Sequence, residues 1–168
     1  LIMSEMPQYF INLADKNFNT HKLWLQNDED KFISEIQEKV DAIAVMGGYK
    51  ITPELMKSMT NLKIIACYGV GYDAIDIAYA KSLGIKVTNT PEVLNDEVAD
   101  TAIALMLCVY RKILEADKFA RNNSWVNGEF PLTKKFSGSR LGIVGMGRIG
   151  KAIAKRAEAF NCTISYHS

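Results

Sequence analysis

The sequence predicts an α/β fold: mostly parallel sheet in two successive parts, joined by a long helix. Three observations carry this. Up to about residue 90, short β-rich runs alternate with amphipathic segments; Ala42–Met46 is apolar throughout and ends at Gly47-Gly48; and an apolar strand before Gly145 runs into Gly-x-Gly-x-x-Gly. Strands that alternate with helices need βαβ crossovers, and these build parallel sheets buried on both faces.

Taken in order, Leu1-Ile2-Met3 reads as the end of a strand, Pro7–Phe18 as a helix and His21–Leu25 as a second strand. Asp28–Val40 carries Phe32, Ile33, Ile36 and Val40 at helical spacing, and the strand Ala42–Met46 follows. Thr52-Pro53-Glu54 supplies a cap, a first-turn proline and an acid for a short helix to about Met59. Lys63–Cys67 then reads as strand, Ala74–Leu83 as helix and Ile85–Thr88 as strand. The long helix opens with Asn95 as N-cap and with Asp96 and Glu97 in the first turn, where the helix dipole favours acids. Val98, Ala102, Leu105, Val109, Ile113 and Ala116 form one apolar stripe; Ile103, Leu107, Tyr110 and Leu114 form a second beside it. A helix apolar over so much of its circumference predicts an interdomain spine and offers surface for a subunit contact. Arg121–Ser137, with Gly128 and Pro131, reads as an irregular arm.

The chain has 168 residues, 48% hydrophobic and 23% charged, with a formal charge of +1. That near-neutral balance gives no footprint for nucleic acid or acidic membranes. The longest apolar run, Ala102–Tyr110, is far short of the roughly 20 residues of a membrane helix. With no basic, apolar leader at the start, the expectation is a cytoplasmic protein. Cys67, Cys108 and Cys162 lie in apolar stretches at no metal-ligand spacing and read as free core thiols in a reducing compartment. His21 and His167 lie far apart with no carboxylate or cysteine cluster, so no metal site is expected.

The chemistry-bearing segment is Leu141-Gly142-Ile143-Val144-Gly145-Met146-Gly147-Arg148-Ile149-Gly150, followed by a helix over Lys151–Phe160. Between a strand and an amphipathic helix each glycine has a purpose. Gly145 allows the tight turn, Gly147 lets backbone approach a pyrophosphate, and Gly150 lets helix pack on strand. The helix N-terminus adds free N–H groups for the phosphates. The next strand, Thr163–Ser168, ends in Ser168, about where NAD-binding sites carry an acid for the adenosine ribose. A carboxylate there would repel a 2′-phosphate and a serine hydroxyl can bond it, so the expectation is NADPH, with NADH as the alternative.

Two further segments, Tyr68-Gly69-Val70-Gly71-Tyr72-Asp73 and Val87-Thr88-Asn89-Thr90-Pro91 through Asn95-Asp96-Glu97-Val98-Ala99-Asp100, join Gly145–Gly150 in order and spacing. Together they resemble the D-isomer-specific 2-hydroxyacid dehydrogenase family, and Asn161–Tyr166 is most similar to its NADPH-preferring glyoxylate/hydroxypyruvate reductases. The resemblance implies a flavodoxin-like substrate domain, residues 1–92, and the first part of a Rossmann-type dinucleotide-binding domain, residues 93–168, with the active site in the cleft between them. It implies that the backbone N–H groups of Val70 and Gly71 hold the substrate carboxylate, that Leu94 and Val98 wall the nicotinamide end, and that Arg148 and Ile149 contact the pyrophosphate. The family's catalytic Arg, Glu and His fall beyond residue 168, and none of Arg111, Arg121, Arg140, His21 or His167 sits in a matching motif. The 168 residues are therefore expected to be a fragment, inactive alone. The expected substrate is a small 2-oxo or 2-hydroxy acid and the expected assembly a homodimer. The other function class is a dinucleotide-sensing, corepressor-like binding protein of the same fold.

Overall fold

Every strand pairing in the computed structural model, which describes residues 1–168, is parallel. The chain divides into two units, Leu1–Pro91 and Glu92–Ser168.

In the first unit β1 (Ala42–Met46), β2 (Ile64–Tyr68) and β3 (Lys86–Thr88) lie side by side in chain order, with Ala44 opposite Ala66 and Ala66 opposite Thr88. Ile2 extends the sheet by single bridges to Ala44 on one side and Lys22 on the other. Counting those positions, the Lys22 stretch takes the edge, the Ile2 stretch comes next and β1–β3 follow, the order of a flavodoxin-like sheet. The two strands expected at Leu1–Met3 and His21–Leu25 thus shrink to these bridges. Leu23–Leu25 coils into a 3-10 turn that buries Leu23 instead of continuing as strand.

Four helices cover this sheet: α1 (Gln8–Asn17), α2 (Glu29–Ile36), α3 (Pro53–Ser58) and α4 (Ile77–Ser82). Three start at side-chain caps: Asp28 accepts from Lys31 N–H at 3.0 Å, Thr52 from Leu55 N–H at 3.2 Å and Asp76 from Tyr79 N–H at 2.8 Å. The Asp76 cap explains why α4 begins after the expected Ala74; the preceding residues form a turn from Tyr72 to Ile75. Strand alternation sends Ile43, Val45, Ile65 and Cys67 into a core with Ile36, Val40, Met56 and Met59. Ala44 and Tyr68, on the other face, pack with Ile2, Met6 and Ile11. Ile65 is completely buried, so Ile65→Ala is expected to cost about 2–5 kcal/mol. Urea unfolding of the variant against the parent checks this.

The second unit comprises α5 (Asn95–Arg111), α6 (Ile113–Arg121), β4 (Arg140–Val144), α7 (Arg148–Glu158) and β5 (Thr163–His167). The expected single long helix is two, because Lys112 adopts a left-handed conformation with φ of 47°. Its two stripes also part ways. Ile103, Leu107 and Tyr110 join the core that Phe136 and Ala157 complete, with Tyr110, Phe136 and Phe160 stacked edge to face. Leu105 and Val109 of the first stripe stay exposed, as does Leu114, which lies beyond the helix break at the end of the second. Asn95 is not the N-cap: that position is Leu94, no side chain caps the helix, and the buried Asn95 Oδ1 has no hydrogen-bond partner. In the arm, Ser124–Asn127 forms one 3-10 turn and the buried Phe136 anchors its end. No helix is long and apolar enough to cross a membrane.

Candidate functional site

In the second unit the glycine-lined bend joins β4 to α7. Gly145 takes φ of 95°, a conformation side chains disfavour, and its N–H donates to His167 O at 2.7 Å. The bend therefore starts beside the end of β5. Gly147 occupies the N-cap position of α7, and Lys151 N–H donates back to its carbonyl at 2.9 Å. The helix begins at Arg148, three residues ahead of the expected Lys151, so Gly150 belongs to its first turn. A Cβ at Gly150 would overlap the Gly145 carbonyl oxygen and stand 3.2 Å from its carbonyl carbon. Bend and helix are thus locked together by a contact only glycine permits.

At Gly147, by contrast, a Cβ would meet nothing within 4 Å, and no side chain caps α7. The first-turn N–H groups thus have no side-chain acceptor, and with the positive end of the helix dipole they suit an anion. Arg148 Nε pairs with Glu92 Oε1 at 2.9 Å, both side chains about two-thirds exposed. Solvent makes such a pair weak, so the guanidinium can exchange Glu92 for a phosphate. Arg156, in the same helix, donates to Asp96 at 3.0 Å and to Asp100, and these acids hold its pKa above the usual guanidinium value. The pairs with Glu92, Asp96 and Asp100 lay the start of α5 along α7, which brings the Leu94 end of α5 beside Arg148. Val98, one turn on, is 38% exposed and so available to a ligand. Ser168 lies exposed just past β5, adjacent to the residue that accepts the Gly145 N–H.

In the first unit Gly69-Val70-Gly71 turns off the C-terminal end of β2, where open α/β sheets bind ligands. The turn sits against the end of β1: Gly47 N–H donates to Tyr68 O at 3.0 Å, and a Cβ on Gly69 would come within 3.0 Å of Gly47 Cα. The Val70 and Gly71 N–H groups have no protein acceptor, while all three carbonyls of the turn are held. Thr90 N–H donates to Gly69 O at 2.9 Å, Asn89 Nδ2 to Val70 O at 2.8 Å and Cys67 Sγ to Gly71 O at 3.4 Å. Burial pushes the Cys67 thiol up, so it keeps the proton it donates. A cavity of about 320 Å³ runs along β3 and α4 between Ile85 and Asn89, with Tyr72, Ile77, Lys81, Val87 and Thr88 in its lining.

Sequence reasoning missed three of these residues. Cys67 reads as core filler, Gly47 as the end of a strand, and Asn89 as part of a motif without a task. The bonds of Gly47 and Asn89 link separate strands and that of Cys67 folds the turn back on β2, so only the hydrophilic Asn89 beside an apolar strand hinted at one. Three of the side chains excluded as catalysts have partners of their own: Arg111 meets Thr133 at 3.0 Å, Arg121 meets Asp117 at 2.8 Å, and His21 packs edge to face on Phe32.

Comparison with known proteins gives a consistent answer. The family model of the D-isomer specific 2-hydroxyacid dehydrogenase catalytic domain matches residues 1–163. The chain is 42% identical over its full length to glyoxylate/hydroxypyruvate reductase A of Arabidopsis thaliana, covering 54% of that protein. To hydroxyphenylpyruvate reductase of Plectranthus scutellarioides it is 43% identical, again over the whole chain and 54% of the relative. Among solved structures it is similar to the NADPH-dependent glyoxylate/hydroxypyruvate reductase of Sinorhizobium meliloti in complex with NADP and malonate. There the TM-score is 0.85 and the identity 38%, over 99% of this chain and 52% of that one. The chain spans about half the length of the curated relatives it matches.

Proposed function

Because the chain belongs to the D-isomer-specific 2-hydroxyacid dehydrogenase family, we propose that its protein reduces a small 2-oxo acid of glyoxylate or hydroxypyruvate type to the D-2-hydroxy acid. In this reading the first unit is the substrate domain and the second is the first part of the dinucleotide-binding domain. The observation that carries it is the locked bend: Gly150 against the Gly145 carbonyl, beneath an uncapped helix start with open space at Gly147.

That donor set fits a dinucleotide pyrophosphate. Gly145, Gly147, Gly150 and the N–H groups of Arg148 and Ile149 would hold the phosphates, Arg148 adding a positive charge once it leaves Glu92. Leu94 and Val98 would lie against the nicotinamide end. NADPH is the proposed cofactor because Ser168, at the end of β5, offers a hydroxyl to a 2′-phosphate without a carboxylate's charge; the relative solved with NADP supports it. Bound NADPH supplies the hydride. Val70 and Gly71 would grip the substrate carboxylate with two peptide donors, an arrangement suited to a small anion. A corepressor-like role is not favoured, since the matched relatives carry reductase names.

Absorbance at 340 nm with the full-length protein, NADPH and hydroxypyruvate tests the reading: steady loss of absorbance supports it, and none overturns it. For the cofactor, kcat/KM with NADPH is expected to exceed that with NADH by about tenfold or more, the worth of one charge-assisted hydrogen bond. Clear NADH preference would refute that choice. We further propose a homodimer, because Leu105, Val109, Leu114, Trp125 and Val126 expose apolar surface that a second copy would cover. Light scattering should give the mass of two chains at micromolar concentration; one chain's mass would contradict it.

A further inference from the structure

The two donors assigned to the substrate carboxylate are backbone groups, so the direction they point depends on whatever fixes their peptide planes. Every peptide bond in the chain is trans, and in a planar trans peptide the N–H points opposite the C=O of the same unit. The Val70 N–H belongs to the unit whose carbonyl is Gly69 O, and the Gly71 N–H to the unit whose carbonyl is Val70 O. Both carbonyls are tied to the segment that leaves β3: Gly69 O by Thr90 N–H at 2.9 Å and Val70 O by the Asn89 amide at 2.8 Å. Pulling these oxygens toward residues 89–90 turns both N–H groups the other way, where no protein acceptor meets them.

We infer that Asn89 is the positioning residue of the carboxylate grip: its side-chain amide sets the plane of the Val70–Gly71 peptide and thereby aims the Gly71 N–H at the substrate. The inference rests on the proposed substrate-binding role of this turn. Of the contacts that hold the turn's carbonyls, this one alone comes from a side chain outside β2 and the turn itself. Thr90 uses backbone, and Cys67, the last-but-one residue of β2, holds the next carbonyl, Gly71 O. Asn89→Asp removes the donor at almost constant shape and sets an anion against Val70 O. The freed peptide can rotate, and a misaligned donor loses most of its worth because hydrogen bonds weaken steeply off-axis.

The test is titration of the protein with oxamate, an amide analogue of a small 2-oxo acid that hydride cannot reduce, following the Val70 and Gly71 amides by NMR, alongside NADPH affinity and Tm. In the parent, both amides are expected to shift saturably. In Asn89→Asp the oxamate Kd should rise about tenfold to hundredfold, with NADPH Kd and Tm little changed. Asn89→Ala, which lacks the donor but adds no charge, should lie between. Equal oxamate Kd in parent and both variants overturns the inference and leaves the substrate reading standing. A joint loss of oxamate affinity, NADPH affinity and Tm overturns it in favour of a merely structural asparagine. If the parent's two amides ignore oxamate, the substrate reading of the turn falls, and the inference with it.

Discussion

Gly150→Ala is expected to cost at least a hundredfold in NADPH affinity and to lower Tm by several degrees. The new methyl would overlap the Gly145 carbonyl oxygen and crowd Ile143 Cγ2 at 3.4 Å. The oxygen is backbone, and it belongs to a residue already at φ of 95°, so no rotamer change relieves the overlap. Either α7 lifts from β4 or the bend opens. Overpacking that shifts backbone costs about 1–3 kcal/mol, which in a small domain is several degrees of Tm. Binding suffers further, because the N–H groups at the start of α7 and the Gly145–Gly147 backbone must face one phosphate pair together. Calorimetric titration with NADPH checks the affinity and a thermal melt the stability. Retained affinity would mean the phosphates are held elsewhere.

In the full-length protein, Gly69→Ala is expected to lower kcat/KM for glyoxylate at least a hundredfold while leaving NADPH binding nearly intact. A Cβ there stands 3.0 Å from Gly47 Cα and 3.2 Å from Gly47 N, again backbone against backbone. Gly47 cannot yield freely, since its N–H is bonded to Tyr68 O at 3.0 Å. The turn must shift instead, taking with it the Gly69 carbonyl that Thr90 holds and the two unpartnered N–H groups that follow. A displacement near 1 Å in a positioning contact costs on the order of a hundredfold in rate. Steady-state kinetics with glyoxylate varied, then NADPH varied, separates the two effects. Because Gly69 and Gly150 belong to different units, the variants should fail in different ligands.

Much of the fold could be read from residue patterns because parallel strands advertise themselves. Ala42–Met46 has no polar residue to place on a wet face, and the short helix after Thr52 carries an acceptor where its first N–H groups need one, whereas the caps at Asp28 and Asp76 were not read as caps. What escaped reading depended on tertiary balance. His21–Leu25 has strand-like residues, yet one bridge at Lys22 suffices for the sheet and Leu23 gains burial by coiling. The helix break at Lys112 has no glycine or proline to announce it. Two apolar stripes on α5 look alike in sequence, but only the one bearing Ile103 meets α7.

The candidate site divides the same way. Gly145, Gly147 and Gly150 were legible because their spacing falls between an apolar strand and an amphipathic helix, which assigns each a steric task, and the three lie in one strand–bend–helix turn. The Arg148 pairing with Glu92 was not, since it joins residues far apart in the chain. Asn89 was hidden for a related reason. Its significance lies in a hydrogen bond across strands to a backbone oxygen, and backbone acceptors leave no trace in a sequence.

The central claim is that the bend at Gly145–Gly150 holds a dinucleotide by its pyrophosphate. Amide NMR of the protein titrated with NADPH tests it most directly. Saturable shifts at Gly147, Arg148, Ile149 and Gly150, with inorganic pyrophosphate competing for the same amides, are the predicted result. Saturable NADPH binding that leaves those four amides unmoved, or no binding at all, would contradict it.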